Sequence, residues 1–194
     1  MDLLSWLLPP RCGGCGRRGD GFCLSCRAAC ALERFVLPGE TRLPVTALGR
    51  YEGSLRRAVL ALKRGRRDVA RALGAALSEF RAAHELVVPA PTSPERARRR
   101  GFDQGLLLAK AFGGERGAIA LALEGASQRG ASRGERLARR IRLVRGSPAG
   151  RRIVLVDDVC STGGTLLACA NALRAAGAVS VRAVVVARAE RRPW

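Results

Sequence analysis

Residues 153–165 read Ile153-Val154-Leu155-Val156-Asp157-Asp158-Val159-Cys160-Ser161-Thr162-Gly163-Gly164-Thr165, an apolar run that passes into two carboxylates and then a glycine-rich turn. Four consecutive apolar residues are the pattern of a strand buried on both faces, as in a parallel sheet. From Thr165 onward, Leu166, Leu167, Ala170 and Leu173 recur at helical spacing, so the turn joins a strand to a helix. Backbone N–H groups gathered at such a turn and at a helix N-terminus suit a phosphate. Small residues let the anion approach the backbone, and a side chain placed at Gly163 is expected to intrude on it. Two carboxylates at the end of the strand suit the vicinal hydroxyls of a sugar, or a divalent cation bridging to a diphosphate. Without a ligand or partner, paired acids at the tip of a buried strand would be costly.

Outward from this unit, strands alternate with helices. A strand is expected over Val45–Tyr51, and helices over Ser54–Lys63 and Asp68–Ala83, where Leu55, Val59, Leu62, Val69, Leu73, Leu77 and Phe80 keep a spacing of three and four. Leu86–Pro91 reads as a short buried strand, Gln104–Phe112 as a helix and Ala118–Leu123 as a strand. Residues 125–136, rich in Gly, Ser and Arg, read as a mobile loop. The helix after the acidic strand runs over Thr165–Ala176 and closes at Gly177, and Val179–Ala187 is the last strand. The pattern predicts an α/β fold with a parallel sheet flanked by helices. Residues 31–44, with Pro38-Gly39 and Pro44, read as a linker.

Five of the seven cysteines lie within residues 12–30, four of them as Cys12-Gly-Gly-Cys15 and Cys23-Leu-Ser-Cys26. Each CxxC can place two thiolates on one metal, and two such knuckles complete a tetrahedral site, so Cys12, Cys15, Cys23 and Cys26 are expected to hold a structural Zn²⁺. Disulfides do not fit a chain without a secretory signal, and a redox CxxC would not come twice. Metal binding would supply folding energy to a unit too small for its own core. Cys30 reads as a spectator. A small zinc ribbon over residues 1–40 and a larger domain over 41–194 are the expected division.

The 194 residues are 47% apolar and carry a formal charge of +19. No run approaches the roughly 20 apolar residues of a membrane span, so membrane insertion is not expected. Leu3–Leu8 is short, follows Asp2 and ends at Pro9-Pro10, and it reads as a short helix rather than a signal peptide. A cytoplasmic location is the expectation. The excess of positive charge favours polyanions or anionic substrates. Because aromatics are few, nucleic-acid binding would be electrostatic, with little base stacking.

The acidic turn resembles the phosphoribosyl-diphosphate (PRPP) loop of type I phosphoribosyltransferases. It is not a Walker A loop, which needs a lysine before its Ser or Thr, nor a dinucleotide fingerprint, which lacks the acids. Together with the CxxC pair and the segment Val88-Pro89-Ala90-Pro91 followed by Arg100-Gly101-Phe102-Asp103-Gln104, it makes nearly the whole chain resemble the ComF/ComFC family. The resemblance implies a zinc ribbon joined to a phosphoribosyltransferase-like domain. It also implies a link to natural competence and DNA uptake, with single-stranded DNA and a competence helicase as partners. A phosphoribosyltransferase activity on an unidentified acceptor is the alternative it leaves open.

Carried onto this chain, the resemblance implies PRPP contacts from Asp157, Asp158, Cys160, Ser161, Thr162, Gly163, Gly164 and Thr165, with Mg²⁺ accompanying the diphosphate. Asp157 and Asp158 are the candidates for any catalytic role. Pro91 and Thr92, with Arg99 and Arg100, are candidates for the diphosphate, whose departing charge is the main electrostatic task of such chemistry. Arg96, Arg98, Arg99 and Arg100 are candidates for nucleic acid. Cys160 reads as a small residue tolerated in the turn, although a helix N-terminus can lower a thiol pKa. Two positions depart from the family pattern: Asp103 replaces an Asn, and Arg139 stands where an Asn follows the mobile loop.

Overall fold

The computed structural model describes residues 10–39, 42–114, 119–123 and 141–190. The expected helix at Leu3–Leu8, the loop at 125–136 and Arg139 lie outside them. The elements are α1 (Leu24–Ala28), β1 (Glu33–Leu37), β2 (Leu43–Arg50), α2 (Gly53–Lys63), α3 (Arg67–Leu77) and β3 (Glu85–Pro89). After them come α4 (Pro94–Arg100), α5 (Gln104–Ala111), β4 (Ala120–Leu123), β5 (Ile141–Arg145), β6 (Arg152–Cys160), α6 (Gly164–Ala175) and β7 (Ser180–Arg188).

Five strands form one sheet in the order β1-β2-β7-β6-β3, parallel throughout except for β1, which runs antiparallel to β2. The pleat sorts the central strands between two cores. Val154 and Val156 of β6, with Val184 and Val186 of β7, pack under α2, α3 and α5 against Leu62, Leu73, Leu108 and Phe112. Ile153 and Leu155, with Ala183 and Val185, pack on the other face against Leu166, Cys169 and Leu173 of α6. Helices therefore cover both faces, as the unbroken apolar runs require. Among the described residues, no helix is long and apolar enough to cross a membrane.

Three expectations change. Residues 31–44 are not a linker, because Glu33–Leu37 pairs with β2 as the edge strand, with Leu37 buried. Pro44 is no obstacle there, since the ladder between β2 and β7 begins at Val45. The strand expected over Ala118–Leu123 forms at Ala120–Leu123, but outside the main sheet: it pairs antiparallel with β5. The helix expected to reach Ala83 ends at Leu77, followed by one 3₁₀ turn over Ser78–Phe80.

The cysteine unit rests on the helices rather than standing apart. Cys12, Phe22 and Cys26 are buried in the same cluster as Leu55, Ala58 and Val69. The approach is close enough that a Cβ on Gly13 would come within 2.9 Å of Val69, and one on Gly21 within 2.6 Å of the Asp68 carbonyl oxygen. Arg57 Nε donates to the Gly14 carbonyl at 2.5 Å.

Candidate functional site

Strand β6 does not stop at the acids. Its ladder with β7 continues through Asp157 and Val159 to Cys160, so the turn itself is Ser161–Gly163 and α6 begins at Gly164. Gly163 has φ +76° and occupies the N-cap, a conformation few other residues tolerate. A Cβ on Gly163 would point at Leu37, within 2.5 Å of its Cδ1. A substitution there would therefore strain the β1 side of the loop. The Cys160 thiol is buried; burial, then the charge of Asp157, push its pKa up to about 11 against a smaller opposing effect of Arg188. A lowered pKa at this helix N-terminus is not what the surroundings give.

The second segment gains its shape from capping. Ser93 Oγ accepts from Arg96 N at 3.4 Å, Pro94 opens α4, and Gly101 closes it at φ +72°. Asp103 then caps α5, its Oδ1 accepting from Leu106 N at 3.1 Å and from Thr92 Oγ1 at 3.3 Å. An N-cap needs only an acceptor, and Asp serves as well as Asn. The departure at Asp103 thus costs this contact nothing.

The two segments, far apart in sequence, meet in one cleft of about 380 Å³. Asp157, Asp158, Ser161 and Thr165 line it from one side, and Pro91, Thr92, Arg96, Arg100 and Gln104 from the other. Arg96 and Arg100 are one helical turn apart on α4 and share its cleft face; Arg98 and Arg99 do not line the cleft. Cys160, Thr162, Gly163 and Gly164 are likewise not in its lining. Two residues that no sequence motif singled out complete it: Tyr51, just after β2, and Lys63, the last residue of α2.

The two acids are not equivalent. Asp158 is 7% exposed, and its Oδ2 accepts from Gln104 Nε2 at 2.7 Å while Lys63 Nζ stands 3.4 Å away. Its Oδ1 accepts from the Val159 amide at 2.8 Å. Arg100 Nη1 donates to Gln104 Oε1 at 2.5 Å, fixing which end of the Gln104 amide faces Asp158. Asp157 Oδ1 accepts from the Asp158 amide at 2.8 Å. Burial, then the charge of Asp158, hold the Asp157 carboxyl well above the usual carboxylate range, outweighing the Asp158 amide and Lys63. Asp157 thus lines the cleft as the acid whose surroundings disfavour its charge.

At the other end of the chain, the sulfurs of Cys12, Cys15, Cys23 and Cys26 all lie within 4.8 Å of one another and could hold a metal ion. Burial alone would raise the Cys12 thiol, but the N–H groups of Cys23, Cys15 and Gly14 outweigh it and bring the pKa to about 6. Cys26 is pushed up to about 12, by burial first and then by the neighbouring sulfurs. Cys30 Sγ turns away to donate to the Cys26 carbonyl at 3.3 Å.

A raised native pKa means that the fold prefers the protonated Asp157, so ionising it costs stability. That cost is absent below the unfolded-state carboxylate pKa and grows as pH rises through the raised native value. Asp157→Asn should therefore raise the melting temperature of the ligand-free chain, by more at pH 8 than at pH 4. A gain that is constant with pH would contradict this account.

Residues 108–193 match the model of the phosphoribosyl transferase domain. A 45-residue stretch is 51% identical to ribose-phosphate pyrophosphokinase 4 of Arabidopsis thaliana, covering 23% of this chain and 13% of that protein. A 37-residue stretch is 60% identical to adenine phosphoribosyltransferase of Mycobacterium avium, covering 19% of this chain and 21% of that one. The matches thus span less than a quarter of either relative. A crystal structure of hypoxanthine phosphoribosyltransferase from Staphylococcus aureus superposes with a TM-score of 0.40 at 15% identity, over 63% of this chain and 62% of that one. The chain thus joins a segment matching the phosphoribosyl transferase domain to a four-cysteine cluster near its N-terminus.

Proposed function

We propose that this chain binds PRPP with Mg²⁺ in the cleft, in the manner implied by its resemblance to the ComF/ComFC family. One observation carries the reading: Pro91, Thr92 and Arg100, expected at the diphosphate, and Asp157, Asp158, Ser161 and Thr165, expected at the ribose phosphate, line the same 380 Å³ cleft. Both relatives are named for a phosphorylated ribose, the ligand class of this reading. In this reading Ser161 and Thr165 sit with the α6 N-terminus at the 5-phosphate, where backbone N–H groups and the helix dipole favour an anion. Asp157 takes ribose hydroxyls or the Mg²⁺, and Arg96 and Arg100 meet the diphosphate. Arg96→Ala should weaken PRPP–Mg²⁺ binding about tenfold, the scale of one charge-assisted hydrogen bond, and ribose 5-phosphate binding much less. Calorimetry of the wild-type chain showing no PRPP binding would overturn the reading.

The four-cysteine cluster holds Zn²⁺ in the same proposal, as a ribbon ending before β1. Four sulfurs about 2.3 Å from one ion form a tetrahedron with edges of about 3.8 Å. The Cys12–Cys26 and Cys15–Cys23 sulfur separations are both 3.7 Å. Metal analysis of native protein should give one zinc per chain, and Cys12→Ala with Cys23→Ala should abolish it. Full occupancy in that variant would refute the assignment.

A role beside single-stranded DNA, with a competence helicase as partner, is the extension of the family reading. The placement of Arg98 and Arg99 outside the cleft, on a chain of formal charge +19, favours it. DNA affinity should then fall linearly with log salt, by about 0.7 per phosphate neutralised on a single strand. Arg98→Ala with Arg99→Ala should flatten that slope and leave PRPP affinity intact. DNA binding insensitive to salt would refute the electrostatic picture. The alternative, transfer of the phosphoribosyl group to an acceptor, is favoured by Tyr51, the chain's only tyrosine, which offers a planar acceptor a surface in the cleft.

A further inference from the structure

Of the 35 basic residues in the chain, only Lys63 and Lys110 are lysines. Arginine supplies all the other basic residues. Lys63 is also the lysine that lines the cleft, projecting from the last position of α2. We propose that Lys63 binds the phosphate groups of the ligand directly and that this position requires an ammonium rather than a guanidinium. The proposal rests on the PRPP reading of the cleft.

Three observations support it. The first is placement: Arg96 and Arg100 enter the cleft from α4 and Lys63 from α2, so an anion there meets cations from two separate elements. The second is how Lys63 is held. Its Nζ stands 3.4 Å from Asp158 Oδ2 and 5.9 Å from the centroid of the Tyr51 ring, with 32% of the side chain exposed. The ammonium is therefore oriented by an acid and an aromatic face without being locked in place. A sugar hydroxyl or a cation arriving at the carboxylates competes for Asp158. The flexible four-carbon stem then lets the ammonium turn to the phosphate that arrives with it.

The third observation concerns shape. Asp158 Oδ2 already accepts from the Gln104 amide at 2.7 Å, and that amide is fixed from behind by Arg100 at 2.5 Å. A compact ammonium shares the oxygen with Gln104. A planar guanidinium, which pairs with carboxylates through a two-pronged fork, would compete with Gln104 for it and hold Asp158 too firmly to be displaced.

The test is calorimetry on the full chain with two titrants, PRPP with Mg²⁺ and inorganic diphosphate without metal, on the wild type, Lys63→Met and Lys63→Arg. Lys63→Met should weaken both titrants by about 10- to 100-fold, the scale of a lost hydrogen bond to a charged group. Lys63→Arg keeps the charge and a pairing with Asp158, so it guards against simple misfolding; it should recover less than a third of the lost affinity for either titrant. Wild-type affinity in Lys63→Met overturns the proposal, and wild-type affinity in Lys63→Arg overturns the ammonium requirement. If Lys63→Met weakens PRPP but not diphosphate, Lys63 acts through Asp158 and the direct contact is refuted. A wild-type chain that takes neither titrant removes the PRPP reading itself, and the proposal with it.

Discussion

A carboxylate that is only 7% exposed must be paired, and the pairing of Asp158 holds the cleft together. Its partners come from different places: Lys63 from the end of α2, Gln104 from the start of α5, and the Val159 amide from its own strand. Gln104 is fixed in turn by Arg100 of α4, and α5 is held at its first turn by Asp103, which also receives the Thr92 hydroxyl. Satisfying one buried charge therefore sets the mutual positions of α2, α4, α5 and β6. Those are the elements from which the walls of the cleft are built.

Asp157, the adjacent residue, is left in the opposite condition. Both acids line the cleft and both feel Lys63, but the Gln104 and Val159 N–H groups donate to Asp158. Asp158 takes the internal partners and Asp157 keeps a carboxyl that prefers its proton. Local instability of this kind collects where a ligand is expected to supply the missing partner. The division of labour between the two acids follows from which donors reach each of them rather than from any difference in residue type.

Much of this was legible in the sequence because it depends on local patterns. The run Ile153–Val156 identified the buried strand, and the three-and-four spacing of Leu55, Val59 and Leu62 identified α2. The CxxC pairs marked the four sulfurs that converge. Helix α4 carries its cap signals, Ser93, Pro94 and Gly101, in the sequence. It has no apolar face, so apolar periodicity does not reveal it. Strand β1 was hidden by the flanking Pro38-Gly39 and Pro44, which mark a hairpin as readily as a linker. The direction of the Gly163 Cα–H bond, the pairing of Lys63 with Asp158 and the entry of Tyr51 into the cleft are tertiary facts. No spacing within one segment encodes them.

The docking of the cysteine unit on α2 and α3 has a thermodynamic consequence. Gly13 and Gly21 bring its backbone against Ala58, Val69 and Asp68, and Cys12 and Cys26 are buried with Leu55 and Leu62. Helix α2 thus carries the sulfur cluster against its flank and the cleft lysine at its tip. Two sites that share one rigid element exchange free energy in both directions. To whatever extent an ion among the sulfurs steadies α2, it tightens the cleft's hold on an anion. By reciprocity, an anion bound in the cleft would raise the affinity for that ion by the same factor.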